Sequence, residues 1–541
     1  MKDPARVAGD SGVGWIYPAV CLCFFLSGFA ALLYQTAWMR QFAVTFGTSE
    51  LAVAMVLSSY MAGLALGAAV AGRFIHGIAR PVLVYGILEA AIAISALCVP
   101  LLLKLAGDLY AGVLGGQAGL PDASGPGQSL FYLAVAFGVL ALPTACMGAT
   151  LPLLTRYAVR SNAQIGSRVG TLYAINTAGA IGGTVFTAFV LLPALSLFQT
   201  VFVGAAINAL VFLIAAGLTR GTAAVSFPSP PPEKSGKPKP AWTRSGWILP
   251  IMLLSGANSF AYEVLWTRLL SHVLGGSVNA FATMLAAFLG GIALGSAAAA
   301  RFAGVRNTAF YGLVVCQLLI ALSSIAIYQA LPALLPEQAG LAGNVPLAIM
   351  ILLPATLFIG ATFPLAVRLL ASSEADAAAS SARVYAWNTA GAILGALLAG
   401  FVLIPMLKYE GTIRVAVLVN ASLALLMVLL IARRHAPLLA VSSAVTAAVA
   451  LLYFPTWPEP ILRVSPIDPY RAGTVRYYDV GRTSTVLMLE RDGYFLLRNN
   501  GLPEASVDPH GAPPSRHSQR MLTTLPVLAR PDTYDMLVIG L

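Results

Sequence analysis

The sequence predicts an all-α polytopic membrane protein with 12–13 transmembrane helices. Hydrophobic residues make up 58% of the 541 positions and charged residues only 10%, whereas charged residues form about a quarter of an ordinary soluble domain. The apolar residues lie in long runs without charge, such as 51–72 and 130–154. Each run is at least as long as the roughly 20 residues that a helix needs to cross a bilayer.

Thirteen apolar runs are candidates for membrane spans. We expect helices because an exposed strand edge would leave backbone groups unpaired in hydrocarbon. The runs cover residues 17–38, 51–72, 81–103, 130–154, 169–193, 196–219, 246–265, 276–300, 308–335, 344–367, 384–405, 413–432 and 436–455.

A proline- and lysine-rich segment, Phe227–Arg244, separates the sixth run from the seventh. Proline favours extended chain and lysine favours water, so this segment is predicted to link two membrane halves. The predicted domains are an N-terminal tail (1–16), a first membrane repeat (17–220), the linker (221–245), a second membrane repeat (246–434), an extra transmembrane helix (435–455) and a C-terminal domain (456–541).

The net charge of +11 does not indicate nucleic-acid binding, because the basic residues lie at the ends of the apolar runs. That placement is typical of the positive-inside rule. The five cysteines all lie inside apolar runs, where cysteine behaves as a small hydrophobic residue. We therefore predict no disulfide and no metal site.

The two membrane halves are copies of one another. Ser27–Phe74 aligns with Ser255–Phe302 at a constant offset of 228, and residues 148–183 align with 360–395 at an offset of 212. Chance similarity between apolar sequences would match Leu and Ala, not rarer residues. The matched pairs include Tyr34 with Tyr262, Trp38 with Trp266, Arg40 with Arg268 and Asn176 with Asn388.

Each copy holds six runs, so both halves enter the membrane in the same direction. Parallel repeats of this kind are typical of major-facilitator transporters. Alternation of the spans brings the basic residues to one side, which the positive-inside rule predicts to be cytoplasmic. They include Arg73, Arg156, Arg301, Arg368 and Arg383.

Polar side chains within membrane spans are costly and often functional. The intramembrane candidates are Gln35, Glu89, Asn176, Glu263, Gln317 and Asn388, with Arg40 and Arg268 as candidates at helix ends. Repeat-equivalent polar residues that face each other across the pseudo-twofold axis would form a cavity for a cationic or polar solute. Alternatively, the two asparagines tie helices together by hydrogen bonds.

The C-terminal segment has a different character from the membrane halves. Thr474–Tyr478, Ser484–Leu489 and Tyr494–Arg498 are predicted strands, with a hairpin turn at Asp492-Gly493. A helix is predicted at Ser515–Leu528 and a buried strand at Asp535–Ile539.

The repeated block, with its Ser-Gly, Tyr, Trp and Arg positions followed by G-x-x-L-G, resembles a group of bacterial membrane proteins. In these proteins a major-facilitator-like domain is fused to a spermidine-synthase-like domain. Residues 456–541 resemble the start of a polyamine aminopropyltransferase. The resemblance implies a small β-domain followed by the first strand of a Rossmann-like domain.

By the same resemblance, Glu504 and Gln519 stand at substrate-binding positions and Gly540 at the first glycine of the cofactor-binding turn. Glu504 replaces the family's Gln, and Ser518-Gln519-Arg520 replaces its Tyr-His-Glu. The glycine-rich loop would follow residue 541, so we expect a longer full-length chain. A bound S-adenosyl-type nucleoside is expected only there, and no catalytic residue is assigned.

Three functions are compatible with these features. The first is a membrane-tethered aminopropyltransferase or a related S-adenosyl-dependent transferase. The second is a transporter or solute-binding protein for a polyamine or another cationic or polar solute, with a non-catalytic tail. The third is a structural or assembly role. The expected partners are the lipid bilayer and a small-molecule substrate, with no nucleic acid.

The predicted location is the bacterial inner membrane. Twelve spans return the chain to the cytoplasm at Arg433-Arg434. The thirteenth run would then carry the C-terminal domain to the extracytoplasmic side.

Overall fold

A computed structural model describes residues 15–46, 50–113, 126–220, 246–335, 341–431, 473–508 apart from 483, and 517–530, with scattered residues between 437 and 465. The helices of the first half are α1 (Ile16–Phe46), α2 (Glu50–Phe74), α3 (Pro81–Val113), α4 (Pro126–Ala158), α5 (Gln164–Phe186) and α6 (Leu197–Arg220). Those of the second half are α7 (Ile248–Leu274), α8 (Val278–Phe302), α9 (Arg306–Leu334), α10 (Leu341–Leu370), α11 (Ala377–Leu398) and α12 (Ile404–Ile431).

Eleven segments of the described chain are long and apolar enough to cross a membrane, which confirms the predicted polytopic helical fold. The last of them, Glu374–Leu429, has 56 residues. A straight helix of that length would span roughly 80 Å, far more than the bilayer core of about 30 Å. The backbone breaks at Lys408, near the start of α12, where φ is 56°. The segment therefore holds two successive helical stretches: one runs from α11 to this break, and the rest of α12 follows it.

The predicted thirteenth span, 436–455, lies mainly outside the described residues. Of the described residues there, Thr446 donates a hydrogen bond to the carbonyl of Ser442 at 2.8 Å. The extra helix stays a prediction.

Close glycine contacts hold each half together in the same way. A Cβ atom added at Gly148 of α4 would lie 2.0 Å from the carbonyl oxygen of Leu64 in α2. At the equivalent crossing of the second half, a Cβ at Gly360 would lie 2.1 Å from the carbonyl oxygen of Ile292. Small residues allow such backbone approach between membrane helices. The match between the crossings shows the duplication in three dimensions.

Both halves also contain a π-helical segment at the same position. Thr187–Leu191 follows α5 and Ala399–Leu403 follows α11. The two segments are 212 residues apart, which is the offset of this part of the repeat. Such π-turns interrupt the regular α-helical hydrogen bonding and shift the side chains that follow.

The halves meet where α2 packs on α11 and α5 packs on α8. A Cβ added at Gly72 would lie 2.6 Å from the Ala382 Cβ, and one at Gly170 would lie 2.9 Å from the Ala300 Cβ. The Ser296 hydroxyl donates to the Gly170 carbonyl at 3.0 Å. These contacts lie at the end of the helices that carries Arg73, Arg156, Arg301 and Arg368, which we call the arginine end.

The C-terminal domain contains a four-stranded antiparallel sheet in the order β1-β2-β3-β4. Its strands are β1 (Thr474–Val480), β2 (Thr485–Arg491), β3 (Tyr494–Asn499) and β4 (Leu502–Val507). The first three confirm the predicted strands. Asp492 and Gly493 have φ angles of 53° and 83°, as a tight hairpin turn requires.

The fourth strand was not predicted, because Asn500–Ser506 stand where the spermidine-synthase-like family has a turn that follows a hairpin. A helix, α13 (His517–Ala529), follows the sheet close to its predicted position. The predicted strand Asp535–Ile539 lies outside the described residues, so the Rossmann-like start stays a prediction.

The sheet docks on helix ends of the second half, opposite the arginine end. Tyr478, Val480, Leu487 and Leu489 share a buried apolar cluster with residues of α7, α9 and α12. The Tyr409 hydroxyl at the start of α12 lies 2.9 Å from the Thr485 hydroxyl. Sheet and membrane domain therefore form one continuous core at this place.

Candidate functional site

A buried polar network crosses the first half around Glu89 of α3. Glu89 is fully buried. Asn208 of α6 donates from Nδ2 to Glu89 Oε2 at 2.5 Å. The Tyr34 hydroxyl of α1 donates in turn to Asn208 Oδ1 at 2.8 Å. Three helices that are far apart in sequence are thus joined through one carboxyl group.

The second oxygen of this carboxyl group has a different environment. The hydroxyl groups of Ser27 and Tyr85 lie beside the carboxyl group. Glu89 Oε1 and the Tyr85 hydroxyl are both buried, and each lacks a hydrogen bond of good geometry to the described residues. No Lys, Arg or His in the described part of the chain forms an ion pair with Glu89.

The second half contains the matching network, built from amides. Gln317 of α9 donates from Nε2 to the Ser255 hydroxyl at 3.0 Å. Asn420 of α12 donates from Nδ2 to Gln317 Oε1 at 2.5 Å. Asn258 of α7 donates to Asn420 Oδ1 at 2.5 Å and to the Ala416 carbonyl at 2.8 Å. This network contains no ionisable group.

The two networks occupy equivalent positions of the repeat. Glu89 and Gln317 differ by 228, as do Ser27 and Ser255. Asn208 and Asn420 differ by 212. Glu89 and Gln317 were predicted as candidates from the sequence, but their equivalence and their two asparagine partners were not. The signal for both is the pair of constant offsets, which continue into α3 and α6.

The asparagines that the sequence did predict lie at other helix crossings. Asn176 of α5 donates from Nδ2 to the Phe24 carbonyl of α1 at 3.1 Å. A Cβ at Gly28 of α1 would lie 2.1 Å from the Asn176 carbonyl oxygen, and one at Gly256 of α7 would lie 2.1 Å from that of Asn388. Both asparagines therefore contact helices of their own half, where α1 crosses α5 and α7 crosses α11.

Gln35 and Glu263 occupy equivalent positions in different surroundings. Gln35 is buried in the first half, whereas Glu263 is partly exposed. Glu263 and Thr267 of α7 line a small cavity, with free space for about one water molecule, together with side chains of α8 and α10. Those side chains are Phe281, Met284, Leu285, Phe288 and Leu352. All of this lining belongs to the second half.

The cavity combines one carboxyl group with the phenyl rings of Phe281 and Phe288. A carboxylate attracts an amine, and the faces of the two rings can attract a cation through their quadrupoles. The free space is far below the roughly 300–1,000 Å³ of sites for drug-sized ligands, so the surrounding helices would have to move before a solute could enter.

The two helix-end arginines also differ between the halves. Arg40 is exposed at the end of α1. Arg268 reaches the loop between β1 and β2, where Nη2 donates to the Arg482 carbonyl at 2.5 Å and Nη1 to the Gly481 carbonyl at 3.5 Å. Arg268 therefore contacts the C-terminal sheet, a role that its position in the repeat did not indicate.

The residues that the family resemblance selected in the tail do not form a described site. Glu504 is exposed in β4. Gln519 lies in the first turn of α13, but its side chain is outside the described residues, as is all of Gly540. The assignments of these three residues stay predictions.

Comparison with known proteins gives the fold class. No protein-family model matches the sequence, and no curated protein matches it significantly. A bacterial homologue of the iron transporter ferroportin in an outward-facing state is similar in structure, with a TM-score of 0.50 and 14% identity over 76% of this chain and 98% of that one.

Two other transporter structures are similar over most of their length. The Major Facilitator Superfamily transporter FucP in the outward conformation gives a TM-score of 0.47 at 14% identity, covering 76% of this chain and 99% of that one. The human organic anion transporter MFSD10 gives 0.48 at 13% identity over 76% and 99%. The membrane domain of this chain therefore shares the polytopic helical fold of the bacterial ferroportin homologue.

Proposed function

We propose that the protein is a membrane transporter for a small organic cation, which it moves by rocking one six-helix half against the other. The observation that carries this proposal is the placement of close inter-half contacts, such as Gly72 with Ala382, at the arginine end. Rocking that parts these contacts and closes the opposite end would open the space between the halves to each side of the membrane in turn. The fold shared with transporters supports the same conclusion.

The cavity beside Glu263 supports a substrate with an amine group. Its single carboxylate and its aromatic side chains suit a compact cation better than an anion or a sugar. Short polyamines such as putrescine have this chemistry, so putrescine is the first probe to test. A charge-assisted hydrogen bond contributes about 1.5–3 kcal/mol, or roughly tenfold or more in affinity.

The proposal can be tested with purified protein in liposomes. Radiolabelled putrescine should accumulate faster than in protein-free liposomes, and Glu263→Gln should lower its apparent affinity about tenfold. The matched control is Glu374→Gln, because Glu374 is an exposed carboxylate at the arginine end. Wild-type uptake of putrescine and spermidine no faster than in protein-free liposomes would overturn the assignment to short polyamines.

Aminopropyl transfer is the less favoured function. Of the residues of the tail that would bind its substrates, Glu504 is exposed in β4. Incubation of the full-length protein with decarboxylated S-adenosylmethionine and putrescine tests this activity directly. We expect no spermidine to form.

We further propose that the C-terminal sheet lies outside the cytoplasm of a bacterial cell, on the inner membrane. The sheet contacts Arg268 and Tyr409 at the helix ends opposite the arginine end. The positive-inside rule assigns the arginine end to the cytoplasm. Alkaline phosphatase, which is active only outside the cytoplasm, should be active when fused after Leu541. An inactive fusion that is still synthesised would contradict this orientation.

A further inference from the structure

We propose that Glu89 is a proton-binding site, which carries its proton as a neutral carboxylic acid in this conformation of the protein. The proposed ligand is the proton itself. Burial of the carboxyl group, its hydrogen-bond partners and the equivalent position of the second half all support this proposal.

The surroundings of Glu89 offer neutral hydrogen-bond donors but no counter-charge among the described residues. The side chain is fully buried within the membrane domain. The amide of Asn208 donates to it, the hydroxyl groups of Ser27 and Tyr85 lie beside it, and no described Lys, Arg or His pairs with it. A buried charge without a counter-charge costs several kcal/mol, and protonation removes that cost.

The titratable groups around Glu89 come from each helix that packs against it. Cys23 and Tyr34 of α1, Tyr85 of α3 and Cys146 of α4 are close enough to interact with it electrostatically. From α6 the contact is the amide of Asn208. A thiol or a phenol can only become negative, so loss of a proton by any of them would add to the charge of Glu89.

The second half shows what this position requires. There the same place is taken by Gln317, a permanently neutral group that accepts through Oε1 and donates through Nε2. A protonated carboxyl group has the same pattern of one acceptor and one donor, whereas a carboxylate has only acceptors. The protonated form of Glu89 therefore matches its repeat partner.

The hydrogen bonds of the first half also fit a proton on Oε1. Oε2 accepts from Asn208, as Gln317 Oε1 accepts from Asn420. Oε1 and the neighbouring Tyr85 hydroxyl are both buried oxygens that lack a hydrogen bond of good geometry. A proton on Oε1 can be donated to the oxygen of Tyr85 or Ser27, both of which lie beside the carboxyl group.

Glu89 can be neutral or negatively charged, whereas its repeat partner Gln317 is always neutral. Building on the proposed transport function, we infer that Glu89 exchanges its proton with water when the halves rock. The step breaks one O–H bond and forms another on a water molecule, and it involves no electron transfer. The transported cation would then be coupled to a proton.

Infrared spectroscopy tests the proton directly. The full chain is purified in a detergent without ester groups, because ester carbonyls absorb close to the C=O stretch of a protonated carboxylic acid. The remaining band in that region then comes from protonated acids of the protein. At neutral pH the wild type should show this band, and Glu89→Gln should weaken it by the contribution of one acid, because a second intramembrane carboxyl group, that of Glu263, can absorb in the same range. The control Glu374→Gln should keep it. The converse variant Gln317→Glu should add a second band, because it places an acid in the amide network.

The folded state of each variant is checked by gel filtration and thermal melting. A band that stays unchanged in folded Glu89→Gln would overturn the proposal. If Glu89→Gln does not fold, the Gln317→Glu variant provides the test instead. A spectrum of that variant without an additional acid band would then contradict the proposal. Failure of this test leaves the putrescine assay unaffected, because the spectrum requires no transport. If the acid band is present but putrescine uptake does not depend on pH, Glu89 still binds a proton. The inferred coupling between proton and cation transport would then be wrong.

Discussion

Glu89 and Gln317 occupy the same position in the two halves, and each accepts a hydrogen bond of 2.5 Å from an asparagine in the last helix of its half. The duplication has kept the geometry of the network, in which the first, third and last helices of each half are joined. It has not kept the chemistry, since one copy can lose a proton and the other cannot. The two halves are therefore equivalent in packing and unequal in electrostatics.

We expect Asn208→Leu to destabilise the protein by about 1–3 kcal/mol, because it leaves Glu89 Oε2 and the Tyr34 hydroxyl buried without their partner. Unfolding of the purified protein in detergent, followed by tryptophan fluorescence, measures the change. The control Asn307→Leu alters an exposed asparagine and should change stability by less than about 0.5 kcal/mol. Equal effects of the two changes would count against a structural role for the network.

A second prediction concerns the crossing of α2 and α4. Gly148→Ala should lower stability by about 1–3 kcal/mol, because a Cβ at this position would lie 2.0 Å from a backbone carbonyl oxygen that cannot move independently. Gly138→Ala in the same helix is the control, since a Cβ there meets nothing within 4 Å. Melting temperatures of the two variants test the difference. A Gly148→Ala chain as stable as the control would show that the helices can separate freely.

The architecture was predictable because it depends on features that the sequence shows directly. Long apolar runs gave the helices, and rare residues such as Trp38 and Trp266 recurring at a fixed offset gave the duplication. Alternation and the Asp492-Gly493 turn gave three strands. The strand β4 was missed because a turn-like match to a known family was given more weight than its own short pattern.

The site was less predictable, because hydrogen-bond partners depend on how helices far apart in sequence rotate toward each other. An asparagine such as Asn208 has no distinctive neighbours along the chain, and only its distance of 2.5 Å from Glu89 gives it a role. Likewise, the repeat predicts equivalent roles for Arg40 and Arg268. The difference between them depends on the sheet, which packs on the second half.

A third prediction tests whether the halves move apart at the arginine end. In a chain without its native cysteines, Gly72→Cys with Ala382→Cys should form a disulfide on mild oxidation. The two Cβ positions are separated by 2.6 Å, so the helices need to part by only about an ångström to reach the usual disulfide spacing of about 3.8 Å. The bond should abolish putrescine uptake, and a reductant should restore it.

The control for the cross-link is Gly112→Cys with Ala382→Cys, because a Cβ at Gly112 meets nothing within 4 Å. This pair should remain unlinked. Full uptake by the oxidised Gly72→Cys, Ala382→Cys protein would contradict the rocking movement, provided that gel electrophoresis shows complete cross-linking.

The last prediction concerns the contact between the membrane domain and the sheet. Arg268→Ala removes the hydrogen bonds from its guanidinium group to the carbonyls of Gly481 and Arg482. Charged hydrogen bonds of this kind contribute about 1.5–3 kcal/mol, so local opening of the sheet should become at least tenfold more frequent. Proteinase K should then cleave the β1–β2 loop correspondingly faster in the folded protein.

Arg40→Ala is the matched control, because Arg40 is the repeat partner of Arg268 and lies exposed at the end of α1. If both variants are cleaved at the wild-type rate, the apolar contacts of Tyr478 and Leu487 alone are enough to hold the sheet on the membrane domain.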